Sequence, residues 1–210
     1  MRIAILTFEG FNELDSFIAA GILGRMRPQR WEIGITSPTE RVTSMNGVTI
    51  VRQQSLDYAA EADAVLIGSG VNTRRIATDV DMLRRIRLDP ARQLIGAQCS
   101  GALLLAKLGL IGKLPACTDL TSRPWVEEAG VEVIDAPFIA HGNVATAGGC
   151  LASQYLAAWL ILRLAGRAEA EAALHYVAPV GEKAAYVERA IANVLPFVKD
   201  AQSASWRRTG

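Results

Sequence analysis

Hydrophobic and polar positions along the chain form two alternating patterns. Short apolar runs of strand length, closed by glycine, asparagine or serine, cover residues 2–8, 31–37, 64–67 and 94–98. Longer stretches with apolar positions at helical spacing cover residues 15–23, 79–88, 101–108 and 151–164. Period and length together distinguish buried strands from amphipathic helices, so this chain is predicted to alternate strands with helices.

That alternation predicts an α/β fold with a doubly wound, mostly parallel sheet and helices on both faces. We expect four further strands at residues 48–51, 131–134, 138–140 and 144–146, the last two joined by a hairpin turn. Residues 168–199 are expected to add two helices. In such sheets, ligand sites lie beyond the carboxyl ends of the strands.

Length and composition fit one domain. The chain has 210 residues, of which 50% are hydrophobic, which is enough for a single large core. We expect one domain over residues 1–200 and a frayed tail over residues 201–210.

Charge and cysteine content exclude several classes of function. The 22 basic residues nearly cancel the 21 acidic ones, so the basic patch that nucleic-acid binding needs is not expected. The first apolar run is too short for a signal peptide or a membrane span, so a cytoplasmic protein without a membrane partner is predicted. The three cysteines lie far apart and are expected to be free thiols, without a metal site or cofactor.

Cys99 is the main candidate for chemistry. It follows the apolar run 94–98 and precedes Ser100-Gly101 and an Ala- and Leu-rich helix. At such a strand–helix turn the unpaired amides of the helix favour a thiolate and can hold a developing anion, as in a nucleophile elbow. The alternative is a buried cysteine that acts as a small hydrophobe.

Two other loops are expected at the same edge of the sheet. Glu13 and Asp15 follow the first strand and offer carboxylates, although Asp15 is also a good N-cap for a helix that begins at Ser16. The turn Gly68-Ser69-Gly70 could direct backbone amides toward the cysteine, or could hold glycines for conformation alone.

These motifs together resemble those of a known family. The residues that carry the resemblance are Phe8-Glu9-Gly10-Phe11, Leu14-Asp15, Gly68-Ser69-Gly70, Cys99-Ser100-Gly101-Ala102 with the leucines that follow, and Thr146-Ala147-Gly148-Gly149. The pattern is similar to that of the ThiJ/PfpI superfamily, and within it to the branch that holds isocyanide hydratase. It extends from Met1 to about Pro179.

The resemblance implies a flavodoxin-like fold, a homodimer and a covalent mechanism. The resemblance implies that Cys99 attacks a small electrophilic carbon and that Asp15 serves as acid and base. Ser100 matches the hydroxyl residue that follows the cysteine in the family. Gly70 matches a turn glycine whose amide lies near the sulfur, and Ser69 and Gly101 are expected beside it at the oxyanion or substrate position. For isocyanide hydratase the adduct is a thioimidate, which water cleaves to an N-substituted formamide.

The sequence departs from the family pattern at two places, and three alternative functions stay open. Gly68-Ser69 stands where Pro-Gly is usual, and Asp119 stands where a less acidic wall is common, which disfavours an anionic substrate. The alternatives to isocyanide hydration are glyoxalase or deglycase chemistry, a thiol sensor, and a ligand-binding module. The sequence leaves open whether Glu13, Asp119 or His175 reaches the pocket, and it favours packing roles for Cys117 and Cys150.

Overall fold

The computed structural model describes residues 1–198, so the predicted tail over residues 201–210 lies outside the described part. The strands are β1 (Arg2–Leu6), β2 (Glu32–Ser37), β3 (Arg41–Thr43), β4 (Thr49–Val51), β5 (Gln54–Ser55), β6 (Ala64–Ile67), β7 (Leu94–Gln98), β8 (Phe138–His141) and β9 (Val144–Ala147). The α-helices are α1 (Glu13–Leu23), α2 (Leu56–Glu61), α3 (Thr73–Ile76), α4 (Val80–Arg85), α5 (Gly101–Lys107), α6 (Arg123–Glu128), α7 (Ser153–Leu164), α8 (Arg167–Val177) and α9 (Lys183–Val194).

The main sheet has seven strands in the order β5-β2-β1-β6-β7-β9-β8. All neighbours are parallel except β8, which pairs antiparallel with β9 through the predicted hairpin. Strands β3 and β4 form a separate antiparallel pair. The predicted doubly wound, mostly parallel α/β fold is confirmed.

The side chains of β1 show how the sheet separates two cores. Ile3 and Ile5 point to one face, where α1, α7, α8 and α9 supply the apolar partners. Ala4 and Leu6 point to the other face, which α2, α5 and α6 cover. Because successive side chains of a strand alternate between faces, a strand that is apolar throughout must be covered on both sides.

Helix α7 is buried around nearly its whole circumference. Every residue from Ser153 to Leu162 is buried, because the helix packs against the sheet on one side and against α8 and α9 on the other. A helix that is hydrophobic all round belongs in the interior of a domain. Across residues 1–198, no helix has both the length and the hydropathy to cross a membrane.

Three local predictions differ from the structure. Residues 131–134 form no strand, and Val133 makes only an isolated bridge to Ala116, because its side chain packs into the helical layer of α5 and α6. The apolar helix that was predicted over residues 151–164 begins at Ser153, after a 3-10 turn over Cys150–Ala152. Helix α2 and strand β3 were not predicted, since each is too short to show a clear period.

The loops after β1 and β6 are tied together at the carboxyl edge of the sheet. The amide of Asn12 donates to the carbonyl of Ser69 at 2.8 Å, and the amide of Val71 donates to that of Gly10 at 2.9 Å. Between these two bonds the backbones approach so closely that a Cβ at Gly70 would lie 2.4 Å from the Gly10 oxygen. Gly70 is therefore required by packing, because the neighbouring atoms are backbone.

Gly70→Ala is expected to lower the free energy of unfolding by about 1–3 kcal/mol, because the two loops must separate to accept the methyl group. Gly21→Ala is the matched control: Gly21 lies within α1, and a Cβ there meets no atom within 4 Å. The control should gain about 0.5–1 kcal/mol from helix propensity. Urea denaturation of both variants checks this, and equal stability of the two would contradict the close approach.

Candidate active site

Cys99 lies on a sharp turn between β7 and α5. Its φ of +47° is left-handed, and Arg30 is the other non-glycine residue within residues 1–198 that has a positive φ. The amide of Cys99 donates to the Ala147 carbonyl at 2.8 Å, and its carbonyl accepts from Thr118 Oγ1 at 2.8 Å. A nucleophile on a strained strand–helix turn held in this way is the geometry of a nucleophile elbow.

The two residues after Cys99 leave their amides available. Within residues 1–198, neither the Ser100 nor the Gly101 amide is bonded to an acceptor. Gly101 also has no room for a side chain, because a Cβ there would lie 2.8 Å from the Ile67 carbonyl oxygen at the end of β6. The turn therefore leaves two donors in the residues that directly follow the nucleophile, where an oxyanion site is commonly formed.

Ser100 and Gly70 bind each other. The Gly70 amide donates to Ser100 Oγ at 3.3 Å, and the Ser100 hydroxyl donates to Thr73 Oγ1 at 2.9 Å. These bonds join the β6 turn and the start of α3 to the elbow. The Gly70 amide, which the family resemblance placed near the sulfur, is therefore directed at the Ser100 hydroxyl. Gly70 and Ser100 together hold the turn in position.

Asp15 enters the site from the first turn of α1 and is buried, with 3% of its surface exposed. Ser69 Oγ donates to Asp15 Oδ2, whereas Oδ1 has no partner within residues 1–198. Burial raises the pKa of this carboxyl, and the bond from Ser69 offsets part of the rise. A carboxyl with a raised pKa and a free oxygen can both accept and return a proton.

The N-cap interpretation of Asp15 is wrong. Helix α1 begins at Glu13, and its N-cap is Asn12, whose Oδ1 accepts the Leu14 amide at 3.0 Å. Asp15 is three residues into the helix, so its side chain is free to turn toward the sheet edge. Both residues are good caps by type, and the sequence alone did not show which one ends the extended segment.

Cys150 belongs to this site, although the sequence favoured a packing role for it. One carboxylate oxygen of Asp15 and the sulfurs of Cys99 and Cys150 all lie within 4.8 Å of one another. Asn12 Nδ2 donates to Cys150 Sγ at 3.2 Å. The signal that could have found it is position, since Cys150 follows β9, which pairs with β7.

Electrostatics keep the Cys99 thiol protonated at rest. Burial, and then the charge of Asp15, raise the pKa of Cys99 well above its ordinary value, while a contact from Gln98 Nε2 at 3.5 Å acts weakly the other way. The thiolate that the sequence analysis expected from the helix amides is therefore disfavoured. Ionisation of the sulfur needs a base beside it, and Asp15 is in that position.

Of the other charged candidates, Asp119 is near the site. Its negative charge raises the pKa of both Asp15 and Cys99, although its own Oδ1 accepts the amides of Thr121 and Ser122. The site wall is therefore negative, which disfavours anionic ligands.

Glu13 and His175 make their contacts elsewhere in the molecule. Ser44 Oγ and Asn46 Nδ2 donate to the Glu13 carboxylate, which fixes the hairpin of β3 and β4, and these bonds lower its pKa. His175 lines a groove between α8 and α9 that contains none of the site residues. Neither group belongs to the cluster around Cys99.

Asp15, Cys99 and Cys150 are also the one group within residues 1–198 whose donor atoms are close enough to share a metal ion. Two sulfurs and a carboxylate suit Zn²⁺ by type. A metal would have to displace protons from two thiols whose pKa values are both raised by burial. The absence of a metal or other cofactor stays a prediction from the sequence.

Comparison with known proteins identifies the family. The sequence profile of the DJ-1/PfpI family matches residues 1–163. The chain belongs to the DJ-1/PfpI family. The matched segment contains Asp15, Ser69, Cys99 and Cys150, whereas α8 and α9 lie beyond it. A search of curated proteins finds no match.

Solved structures of the DJ-1/PfpI family share the fold. A ThiJ/PfpI family protein from Pseudomonas syringae has a TM-score of 0.74 and 22% identity, over 96% of this chain and 89% of that one. Drosophila melanogaster DJ-1beta has a TM-score of 0.72 and 20% identity, over 84% and 96%. Schizosaccharomyces pombe DJ-1 has a TM-score of 0.70 and 17% identity, over 85% and 100%. The resemblance to ThiJ/PfpI proteins is thereby confirmed at the level of the family.

Asp15→Asn is expected to leave the protein at least as stable as the parent at pH 7. Because burial raises the folded-state pKa of Asp15, the folded state binds this proton more tightly, and stability falls as pH rises through that pKa. Each unit of elevation is worth about 1.4 kcal/mol. The variant lacks this loss, so its advantage should shrink as pH falls toward the unfolded-state pKa.

Glu13→Gln is the matched control, with the opposite sign. Hydrogen bonds lower the pKa of Glu13, so its contribution to stability is present above its unfolded-state pKa and lost as pH falls through the folded-state value. At pH 7 this variant should be less stable than the parent. Urea denaturation between pH 3 and pH 7 measures both, and a stability loss at pH 7 for Asp15→Asn would contradict the assignment of a destabilising buried charge.

Proposed function

We propose that the protein is a cysteine-dependent hydratase that acts on isocyanides through a covalent Cys99 adduct. One observation carries the proposal: the Cys99 sulfur and an Asp15 carboxylate oxygen lie within 4.8 Å of each other in a site where both residues are 3% exposed. A nucleophile beside a base of raised pKa is the pairing that covalent catalysis needs.

Burial and charge restrict the substrate. Only a narrow group reaches the sulfur of a residue that is 3% exposed, and the negative charges of Asp15 and Asp119 favour a neutral molecule. The isocyanide group is neutral and linear, and its reacting carbon is terminal, with no substituent beyond it. A dicarbonyl carbon carries substituents on two sides, so the buried sulfur favours the isocyanide over glyoxalase or deglycase chemistry.

In the first step the Cys99 sulfur attacks the terminal carbon while Asp15 accepts the thiol proton. Asp15 returns that proton to the same carbon, which gives a thioimidate with a new C–H bond. The neutral thiol is activated only as the substrate arrives, because the raised pKa of Cys99 opposes a free thiolate.

In the second step water attacks the thioimidate carbon, and the Asp15 carboxylate takes a proton from the water and delivers it to the nitrogen. The amides of Ser100 and Gly101 are the donors for negative charge on the tetrahedral intermediate. Asp15 then takes the proton of the new hydroxyl, the carbonyl forms as the C–S bond breaks, and Asp15 passes that proton to the departing sulfur. The product is an N-substituted formamide, and the sum is addition of one water to the isocyanide.

Cys99→Ala is expected to abolish formamide formation from a simple aryl isocyanide, because the adduct cannot form. Asp15→Asn should lower kcat by about 10²–10⁴-fold, since the proton then has no carrier. The measurement is formamide absorbance with purified protein.

Cys117→Ala is the matched control, because Cys117 is a buried cysteine outside the cluster. It should keep the parent's turnover. Turnover by Cys99→Ala at the parent's rate would overturn the covalent mechanism, and no turnover by the folded parent would overturn isocyanide hydration and leave dicarbonyl chemistry to be assayed.

We also propose that the protein is a cytoplasmic homodimer. All three cysteines are free, which suits a reducing compartment. Phe17, Leu151 and Val177 are exposed apolar side chains that line one shallow groove beside the site, between α1 and the end of α8. Apolar side chains grouped in this way mark a protein–protein contact, and a second copy of the chain would bury them.

Leu151→Asp is expected to shift the protein from dimer to monomer, because it places a charge at the most exposed of the three apolar side chains of that groove, where Leu151 is 67% exposed. Val80→Asp on α4 changes an equally apolar side chain, 57% exposed, outside the groove and should not alter the mass. Sedimentation equilibrium measures both, and a monomeric parent would contradict the proposal.

A further inference from the structure

The hydration mechanism uses one of the two thiols in the site and leaves Cys150 without a task. Cys150 Sγ lies within 4.8 Å of both Cys99 Sγ and an Asp15 carboxylate oxygen, and it accepts a hydrogen bond from Asn12 Nδ2. Cys117, by contrast, is fully buried and lies outside this cluster. Two thiols that share one acid–base group form the composition of a dithiol redox centre.

We propose that Cys150 is the resolving thiol of Cys99, so that a hydroperoxide converts the site into a reversible Cys99–Cys150 disulfide. The proposal rests on the two sulfurs, the carboxylate and their separation. It does not depend on which substrate the enzyme hydrates.

The chemistry balances in two steps. The Cys99 sulfur attacks the terminal oxygen of a hydroperoxide, the O–O bond breaks, and the products are the sulfenic acid of Cys99 and an alcohol, or water from hydrogen peroxide. Cys150 then attacks the Cys99 sulfur, the S–O bond breaks, and water leaves. The two thiols supply both electrons and the peroxide receives them. Asp15 can take the Cys150 proton and deliver it to the departing hydroxide.

The half-buried side chain of Cys150 is the part of the pair that can make this closure. A disulfide bond is about 2 Å long, so the sulfurs must approach each other from their resting separation. Cys99 is fixed by backbone bonds on both sides of its turn. Cys150 is half-buried, begins a three-residue 3-10 turn, and follows Gly149, where even an added Cβ would meet no atom within 4 Å. The backbone of this turn is held as well, since the Gly149 carbonyl accepts from Gln98 Nε2 at 2.7 Å and the Cys150 carbonyl accepts from Ser153 Oγ at 2.9 Å. Closure therefore depends on rotation of the half-buried Cys150 side chain.

The disulfide would serve as a protective off state. Without a neighbouring thiol, a sulfenic acid is exposed to a second peroxide and proceeds to sulfinic acid, which ordinary thiols do not reduce. With Cys150 in reach, oxidation stops at a bond that a dithiol reverses. The loss and recovery of hydration that follow from this rest on the proposed function, whereas the disulfide itself does not.

The test treats the full-length protein with a few equivalents of hydrogen peroxide in the presence of a metal chelator, followed by mass spectrometry of the intact chain and of its peptides. The parent is expected to lose about 2 Da, to give a linked peptide pair containing Cys99 and Cys150, and to return to its starting mass with dithiothreitol. Cys150→Ser is expected to gain about 32 Da at Cys99, which dithiothreitol does not remove.

Cys117→Ser is the matched control and should form the same linked pair as the parent. A sulfinic Cys99 in the parent at the same dose as in Cys150→Ser would overturn the proposal, as would a linked pair that contains Cys117 or a parent whose thiols stay reduced while Cys150→Ser oxidises. Circular dichroism of each variant confirms that the oxidised protein was folded.

Isocyanide turnover measured on the same samples separates the two proposals. Turnover without a disulfide would leave the hydratase in place and remove the redox role of Cys150. A disulfide without turnover would do the reverse. Where both hold, dithiothreitol should restore the peroxide-treated parent and should fail to restore peroxide-treated Cys150→Ser.

Discussion

The left-handed backbone conformation of Cys99 is the constraint on which the site depends. A non-glycine residue in that region costs about 1–3 kcal/mol, and it persists only where the surroundings fix it. Here β9 holds the amide of the turn and Thr118 holds its carbonyl, while Gly101 lets α5 start against the end of β6. The sulfur is therefore held at the carboxyl edge of the sheet, where the loops after β1, β6 and β9 also lie.

Burial sets the chemical character of that edge. It raises the pKa of Asp15 and of both thiols, and the single hydroxyl of Ser69 satisfies one Asp15 oxygen and leaves the other without a partner within residues 1–198. A buried acceptor without a hydrogen-bond partner lowers the stability of the resting state. The site thus stores an unsatisfied acceptor beside a protonated nucleophile, an arrangement that favours transfer of a proton only when an electrophile arrives.

The sequence predicted most of the fold and two of the three residues of the cluster, for physical reasons. Buried parallel strands are nearly continuous apolar runs, so β1, β6 and β7 could be located, and their loops had to meet at one edge. The choice of Asn12 over Asp15 as the cap could not be predicted, because it depends on where the backbone turns helical and not on residue type. Cys150 was assigned to packing because a small residue at the start of a helix commonly allows close packing, and its proximity to Cys99 follows from the pairing of β7 with β9.

The two proposed roles of Cys99 exclude each other at any moment, since both require the same sulfur orbital and the same proton acceptor. An isocyanide carbon bonded to Cys99 leaves nothing for a peroxide to oxidise, and a Cys99–Cys150 bond leaves no nucleophile. Asp15 serves both reactions, and Cys99 is protonated at rest. Neither reaction therefore begins from a preformed thiolate. Occupancy decides between them: substrate in the narrow space beside the sulfur keeps peroxide out and shields the thiol, and an empty site is the form that Cys150 protects.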